Sequence, residues 1–373
     1  MDSIKIVISD CHLSAGRFYE GRLNPHEDFF FDDEMCDFFN HFSTGEFGSE
    51  REVELLLAGD FLDFLNVPIK GEFEEAVTEA ISLQKLEAII AGHPKVMMAL
   101  RRFASLPGKT VTYLLGNHDT DLVFASIRER ITREWAPGGE FPSEKVKVIG
   151  EADRLRFPGG VELHHGNQFE AVHGIDFKKP VLKGHLDEPV LNLPWGSIYV
   201  LKIVNRMKWE RDYIDKVRPA KVFVLFGLIL DPWFTIRFAF LSAFYFLKTR
   251  FIFSPGQTSR FLQTAKILKQ ETNFLLDLER EAREILDRPP EDGVPEVTTV
   301  IFGHTHKPMQ KIYPDGKQYI NTGTWTKMIN LDWRGLGRQF CLTFAFVRIK
   351  DGKAECELRH WVGEHSPHRG FQG

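Results

Sequence analysis

The sequence predicts an α/β protein in which two mixed β-sheets pack together and helices flank them. Short apolar runs of strand length alternate with helical repeats in the first half of the chain, and hairpin turns follow near its end. The chain has 373 residues, of which 43% are hydrophobic. That is enough for one large domain with an insertion, or for two domains.

Five apolar runs predict the central strands. They comprise residues 4–8, 53–57, 111–115, 161–163 and 298–302. Each run is too short for a typical helix, and most are rich in β-branched or aliphatic residues. Further short β segments are expected between residues 146 and 165.

Apolar residues at helical spacing predict the flanking helices. These are expected near residues 28–42, twice within 72–105, and over 121–133. Pro94 separates the two helices of the middle region, because proline suits the start of a helix and not its interior. Hairpins are expected at Asp315-Gly316 and Asp351-Gly352, since Asp-Gly tolerates positive φ.

Side chains that favour metal ions follow all five predicted strands. The motifs are Asp10-Cys11-His12, Gly59-Asp60-Phe61-Leu62-Asp63, Gly116-Asn117-His118-Asp119, His165-Gly166 and Gly303-His304-Thr305-His306. Strands that run side by side and stop together place such motifs on one rim of a sheet. Oxygen and imidazole ligands without thiolates suit hard or borderline divalent ions. The pattern therefore predicts a site for two metal ions.

The first ion is expected to be bound by Asp10, His12, Asp60 and His306. On a strand, residues two apart face the same side, which groups Asp10 with His12. Asp60 is the expected bridging ligand, because one carboxylate can offer an oxygen to each ion. The alternative for Asp60 is that it caps the following helix. Cys11 would point the other way, into packing.

The second ion is expected to be bound by Asn117, His165 and His304. The same spacing of two places His304 and His306 on one face, so that one segment serves both ions. The alternative for this pair is an ordinary polar loop. His164 competes with His165 for a ligand position, and the two neighbours face opposite sides of a strand.

Taken in order, the five motifs resemble the set D-x-H, G-D-x-x-D, G-N-H-D, H-G and G-H-x-H of the calcineurin-like metallophosphoesterases. A sixth segment, residues 319–325, resembles the strand and turn that follow the last motif in many members. The resemblance implies a four-layer sandwich with a helical cap insertion. It also implies hydrolysis of a phosphate ester or anhydride, and it selects His165 over His164.

The resemblance further implies catalytic roles for the third motif. Asn117 and His118 would stabilise charge on the phosphoryl oxygens, and His118 would protonate the leaving oxygen. Asp119 is expected to orient the His118 ring. Asp63 is expected either to accept a hydrogen bond from a ligand histidine or to be a charge at a helix start. The expected cofactors are two divalent ions, Mn²⁺ first, with Fe and Zn also fitting the ligands.

The interval between the fourth and fifth motifs is expected to be a separate unit. Residues 1–166 and 297–373 would form the catalytic core, and residues 167–296 a mostly helical cap. Residues 222–253 hold eleven aromatic side chains, and residues 202–250 hold ten Lys and Arg against four Asp and Glu. An apolar cap with basic flanks is typical of contact with lipid acyl chains or an anionic membrane surface. The alternative is that the aromatic residues pack against the core or a second subunit.

These features predict a phosphate-containing substrate that is lipid-linked or amphiphilic. The cap and the His-Gly motif resemble the UDP-2,3-diacylglucosamine diphosphatases, although those enzymes commonly have Arg at the position of His118 and carry a shorter cap. One alternative is a phosphodiesterase, nuclease or phosphomonoesterase acting on a soluble nucleotide or a phosphoprotein. The other is an inactive scaffold of the same fold that binds partners.

Composition restricts the partners and the compartment. A net charge of -5 provides no basic footprint for nucleic acid, so no nucleic-acid partner is expected. Four cysteines without C-x-x-C spacing, and a start without a signal-type segment, predict a cytoplasmic protein. Peripheral attachment to the inner face of the membrane is the accompanying expectation. The sequence gives no indication of oligomeric state.

Overall fold

The computed structural model describes residues 3–48, 51–183, 187–218, 220–249, 278–290, 295–330, 342–364 and 366–371. The first nine strands are β1 (Ser3–Ile8), β2 (Phe18–Tyr19), β3 (Arg22–Leu23), β4 (Glu52–Ala58), β5 (Lys109–Leu114), β6 (Val146–Ile149), β7 (Arg154–Phe157), β8 (Val161–His164) and β9 (Val181–Leu182). The remaining strands are β10 (Val190–Leu191), β11 (Val217–Arg218), β12 (Thr299–Phe302), β13 (Met309–Ile312), β14 (Gln318–Asn321), β15 (Ile329–Asn330), β16 (Thr343–Lys350), β17 (Lys353–Trp361) and β18 (His368–Gly370).

The α-helices of the described residues are α1 (Asp32–His41), α2 (Glu79–Gly92), α3 (Pro94–Ser105), α4 (Ala125–Trp135), α5 (Trp195–Tyr199), α6 (Asn205–Lys208), α7 (Ala220–Leu230), α8 (Pro232–Leu247) and α9 (Glu279–Leu286). A π-helical turn (Val200–Val204) joins α5 to α6, and 3₁₀ turns occur at Gly45–Phe47, Thr120–Val123, Pro137–Gly139 and Asn167–Phe169. The predicted break between α2 and α3 is confirmed, and Pro94 begins α3.

Two mixed sheets form the centre of the fold. The first has seven strands in the order β18-β17-β16-β1-β4-β5-β6, and its strands β1, β4, β5 and β6 are parallel. The second has five strands in the order β13-β14-β12-β8-β7, with β8, β12 and β14 parallel. All five predicted strands are therefore present, in two parallel groups whose carboxyl ends carry the motifs. The hairpins predicted at Asp315-Gly316 and Asp351-Gly352 join β13 to β14 and β16 to β17.

Side-chain alternation along the strands builds the layers. In β1, Ile4, Ile6 and Ile8 pack against α1 to α4, while Val7 faces the second sheet. Val161 and Leu163 of β8, in the second sheet, pack against Val7 from the opposite side. On the outer face of the second sheet, α9 covers β12 and β14. The result is helices, sheet, sheet and helix, which confirms the predicted α/β sandwich of two mixed sheets.

The interval 167–296, predicted to be a cap, holds α5 to α9. Its boundaries remain a prediction, and α9 within it belongs to the outer layer of the second sheet. Strand β11 pairs with β15 of the core. Among the described residues, no helix is both long enough and apolar enough to cross a membrane.

Candidate metal centre

The ends of β1, β4, β5, β8 and β12 bring the predicted metal ligands together. Four groups of carboxylate and imidazole atoms in the described residues are close enough to hold an ion, with the atoms of each group within 4.8 Å of one another, and two of them consist of predicted ligands only. One group is Asp10, His12 and His306, and the other is Asp60, His165 and His304. These are six of the seven predicted ligands; Asp60, predicted as a bridging ligand of the first set, is grouped here with His165 and His304.

The first group is compact, with two of its three side chains buried. His306 Nε2 lies 3.4 Å from Asp10 Oδ1 and 3.1 Å from His12 Nε2. Two imidazole nitrogens at that separation suit a shared cation, because both can offer a lone pair to it. Asp10 is fully buried, and His12 is almost so. This group therefore has the chemistry of a site for one divalent ion.

Asp60 lies between the two groups. Its Oδ2 is 3.2 Å from His165 Nε2 and 4.0 Å from His12 Nε2, while Oδ1 accepts a hydrogen bond of 2.8 Å from the backbone N–H of His118. Asp60 also forms a ligand group with His12 and His118. A carboxylate in contact with both groups has the position of a bridging ligand.

Buried atoms without partners support the presence of ions. Asp10 Oδ1, Asn117 Oδ1 and His165 Nε2 are buried and make no hydrogen bond to a described residue. Buried polar atoms are normally hydrogen-bonded, so these exceptions are consistent with bound cations at the site. Asn117, the seventh predicted ligand, follows Gly116, whose Cα packs against the Asp60 carboxylate. The donor set therefore fits two divalent ions.

The backbone at the ligands corrects one prediction. Asp10, His12, Asp60, His304 and His306 all have positive φ, between 51° and 68°. The first pair follows the end of β1 and the last pair follows β12, so neither pair lies on a strand face as expected. The side chains converge because the chain turns through the left-handed region after each strand. Such conformations are strained in non-glycine residues and concentrate at functional sites.

Two glycines of the motifs allow the close approach of these loops. Gly59 has φ +86°, and a Cβ at this position would overlap the His165 ring. A Cβ on Gly303 would overlap Ser9 and the Asp10 carboxylate. Glycine is required at both positions because only a bare Cα leaves room for the ligand side chains.

Asp63 is the hydrogen-bond acceptor for two histidines. Its Oδ2 lies 2.9 Å from His12 Nδ1 and 3.0 Å from His118 Nδ1, and Asp63 itself is fully buried. Of the two roles left open by the sequence, the contacts show the acceptor role. Holding Nδ1 leaves Nε2 of each ring free to face an ion or a substrate.

Asp119 does not orient His118 as expected. Its carboxylate accepts a hydrogen bond of 2.5 Å from the Tyr113 hydroxyl and another from the backbone N–H of Gly116. These contacts brace the loop that carries Asn117 and His118, and the ring of His118 is oriented by Asp63 instead. His164 is a hydrogen-bonded sheet residue as predicted, with Nε2 2.7 Å from Glu162 Oε1. Cys11 is buried in packing.

Charge at the centre is strongly biased toward carboxylates. Burial lowers the pKa of His118, but Asp63 and Asp60 outweigh burial and raise it to about 9. Burial acts likewise on His165, while Asp60 and Asp10 raise its pKa to about 10. Burial raises the pKa of Asp60, yet His165 and His118 hold it well below the usual range. Buried carboxylates that favour positive charge this strongly suit bound cations.

Sequence reasoning missed a further group beside the second ion site. Glu170, His173 and His304 also bring their ligand atoms within 4.8 Å of one another. Glu170 and His173 belong to the predicted insertion, and the 3₁₀ turn after His165 places them there. Their Glu-x-x-His spacing, typical of metal-binding proteins, was the available signal.

Comparisons with known proteins give limited information. No protein-family profile and no curated protein match the chain. Among solved structures, a predicted phosphoesterase from Streptococcus pneumoniae is 10% identical, covering 100% of this chain and 98% of that one, with a TM-score of 0.27. A dimetal phosphatase from Danio rerio is 11% identical, covering 99% of both chains, with a TM-score of 0.35. Similarity this low transfers no activity to this chain.

Proposed function

We propose that this protein is a phosphohydrolase that uses two divalent metal ions to cleave a phosphate ester or anhydride. The observation that carries the proposal is the pair of buried ligand groups that meet at Asp60. Asp10, His12, Asp60 and His306 would hold one ion, and Asp60, Asn117, His165 and His304 the other. We expect Mn²⁺, because nitrogen and oxygen ligands of this kind suit it, with Fe and Zn as alternatives.

When bound, such a pair of ions activates water and neutralises the phosphoryl oxygens. The protein's own residues would position the substrate and move a proton. His118 is 19% exposed, and Asp63 holds its Nδ1, so Nε2 is the nitrogen that can donate a proton to the leaving oxygen. The Asn117 amide group, beside the ions, would contact a phosphoryl oxygen or remain a ligand.

Metal content and hydrolysis of a phosphate-ester panel test this proposal together. We expect two transition ions per chain and metal-dependent hydrolysis. Asp60→Asn should lower the metal affinity and the rate of hydrolysis by more than ~100-fold each. Even residues that only support metal ligands affect metal binding by about 10–100-fold. Asp287→Asn, at an exposed pair with Arg283, is the control. A chain that holds two ions but cleaves no phosphate ester or anhydride would instead be an inactive scaffold.

The proposed substrate is amphiphilic, carrying an acyl or other lipid group on the phosphate-containing part. Support comes from α7 and α8, where large apolar side chains are exposed: Leu225, Phe226, Ile229, Leu230, Trp233, Ile236, Phe240 and Phe244. Clustered exposure of this kind marks contact with a membrane or a partner. Phe234 and Tyr245 are buried, but within the interval 167–296: Phe234 packs with Val204 and Met207, and Tyr245 packs against Trp195 and Tyr199.

Contacts connect this apolar surface to the metal centre. Tyr199 of α5 shares a hydrogen bond of 2.8 Å with Ser242 of α8, and the Trp195 ring packs against Tyr245. On the other side of α5, Ser197 donates a hydrogen bond of 3.2 Å to the backbone carbonyl of Asn117. A substrate whose lipid part lies on α8 would therefore have its phosphate near the ions.

Charge contributes less to the proposed membrane contact than the composition suggests. Lys208 is buried between Asp28 and Asp215, and Lys216 also pairs with Asp28. Arg211 pairs with Asp231, Arg237 with Glu210 and Lys202 with Glu75. Much of the basic excess is thus neutralised within the protein. The proposed peripheral contact, on the cytoplasmic face of the membrane, would rest mainly on apolar side chains.

The same panel separates the substrate classes. Loaded with metal, the protein should hydrolyse an acylated nucleotide-sugar diphosphate or a lipid phosphate at least about tenfold better than the matched deacylated compound, because acyl burial is worth ~0.8 kcal/mol per CH₂ group. Equal rates, or a preference for the soluble compound, would favour a soluble nucleotide or phosphoprotein as substrate. That outcome leaves the two-metal chemistry intact.

A further inference from the structure

We propose that Glu170, at the start of the insertion, is a positioning residue that fixes the ring of His304 for the second metal ion. The proposal rests on the proposed function, since it takes His304 as a ligand. It adds a carboxylate from outside the five motifs to the machinery of the metal centre.

The ring nitrogens of two ligand histidines, His12 and His165, follow one pattern. His12 Nδ1 is held by Asp63 at 2.9 Å, and His165 Nδ1 lies 2.9 Å from the backbone carbonyl of Ala58. In both rings the other nitrogen, Nε2, faces Asp60 Oδ2. His12 and His165 thus each have one nitrogen held by the protein and one left for an ion.

In His304 the two nitrogens exchange roles. Its Nε2 lies 3.1 Å from Glu170 Oε2, so this nitrogen carries the proton and Nδ1 carries the lone pair for the ion. The backbone N–H of His304 donates a hydrogen bond of 2.9 Å to Asp10 Oδ2, which holds the residue at φ +68°. Glu170 therefore orients His304 for the second ion in the same way as Asp63 orients His12 for the first ion.

A tight turn holds Glu170 in place. The backbone carbonyl of Glu170 accepts hydrogen bonds of 3.1 Å from the N–H groups of His173 and Gly174, and the Asn167 side chain donates one of 2.9 Å to the carbonyl of His173. His173 Nε2 lies 3.6 Å from the same Glu170 Oε2, and its ring meets the His304 ring edge-on, with centroids 5.2 Å apart. The Glu170 carboxylate is therefore held beside two imidazoles that contact each other.

Helix α5 closes over the same turn. The backbone N–H of Gly196 donates a hydrogen bond of 2.8 Å to the carbonyl of Val172, and a Cβ on Gly196 would lie 2.5 Å from the His173 ring. The first helix of the insertion thus supports His173, which supports Glu170, which orients His304. The second ion site is completed by the insertion, whereas the first is built from core loops.

Metal binding by Glu170 variants tests the inference without relying on activity. Full-length protein is equilibrated with buffered Mn²⁺, and bound ions are counted by elemental analysis. Glu170→Ala should lower the affinity for one of the two ions by roughly 10–100-fold and leave the affinity for the other unchanged. Glu170→Gln, which keeps an acceptor oxygen, should recover part of this loss. With Co²⁺ in place of Mn²⁺, the visible absorption of one ion should change in both variants.

Matched variants separate the outcomes. Asp63→Ala should lower the affinity for the other ion. Glu151→Ala, at an exposed pair with Arg128, should change neither affinity. If Glu170→Ala binds two ions with unchanged affinity and an unchanged Co²⁺ spectrum, the inference is overturned and the proposed function stays intact. A parent protein that binds three ions, and loses one with either Glu170→Ala or His173→Gln, would overturn it by making Glu170 a ligand. Fewer than two ions in the parent protein would instead refute the proposed function.

Discussion

The strands of the first sheet and the helices α7 and α8 are both strongly apolar, yet the protein treats them in opposite ways. Ile6, Val7 and Leu57 of the sheet are almost completely buried, whereas Leu230, Trp233 and Phe240 of the helices are 79%, 80% and 68% exposed. Burial in the sheet supports a set of strained ligand loops. Exposure in the helices leaves a surface for the lipid or membrane contact proposed above. Similar hydrophobicity therefore serves stability in the sheet and is free for the proposed contact in the helices.

The largest expected difference between these regions is in stability. Phe38 is fully buried against Trp325, Phe344 and Trp361, so Phe38→Ala should lower the free energy of unfolding by about 3–5 kcal/mol. Phe240→Ala should change it by less than about 0.5 kcal/mol, because the side chain is already largely in water. Chemical denaturation of both metal-loaded variants measures the two values. A large loss of unfolding free energy for Phe240→Ala would show that this face of α8 is buried in solution, contrary to its exposure here.

The next effect concerns ion pairs. His93 is 2% exposed and lies between Asp32 Oδ1 at 2.9 Å and Glu27 Oε2 at 3.1 Å. Burial lowers the pKa of His93, but these carboxylates outweigh it and raise the pKa to about 9. The Arg237–Glu210 pair between α8 and the end of α6 is instead exposed, with side chains 44% and 47% accessible.

This difference predicts a pH dependence of stability. The protonated form of His93 binds its partners more tightly when folded, so its contribution is complete below pH 6.5 and is lost as the pH rises toward 9. The free energy of unfolding should fall by roughly 2–3 kcal/mol over that range on this account. His93→Gln should flatten the dependence, and Glu210→Gln should leave it unchanged. Equal slopes for the parent and His93→Gln would show that the buried pair is not charged as described.

The smallest effect should appear only in the presence of a membrane. Trp233→Ser and Phe240→Ser should each reduce binding to phospholipid vesicles by about tenfold or more, because burying one large apolar side chain is worth roughly 1.5–3 kcal/mol. Binding should depend weakly on salt, since the neighbouring basic residues are largely paired. Met98→Ser is the matched control, as Met98 is 65% exposed on α3. Equal binding by all three variants in vesicle sedimentation would point to a protein partner for α7 and α8.

Much of the fold and most of the metal centre could be predicted from the sequence because their signals are local. An apolar run followed by Gly-Asp or Asp-x-His identifies both a strand and the ligands at its end. The left-handed backbone of Asp10, His12, His304 and His306 could not be predicted, since nothing in the adjacent residues requires it. The spacing of two did bring each pair to the candidate site, but through a turn of the backbone instead of a shared strand face.

The remaining errors concern contacts between distant segments. Asp63 holds His118, 55 positions away in the sequence, while the adjacent Asp119 bonds to Tyr113. Proximity in the chain favoured the wrong carboxylate. Glu170 and His173 lie after a loop turn and outside the five motifs, so only the packed fold reveals that they reach His304.

Helix α9 limits how this protein could be taken apart. It lies within the interval 167–296, yet Ala282, Ile285 and Leu286 shield Val300, Phe302 and Tyr319 of the second sheet. Excising that whole interval would uncover a hydrophobic face beside the strand that leads to His304. A chimera that exchanges α7 and α8 would have to join its graft upstream of Glu279, so that α9 stays part of the recipient scaffold.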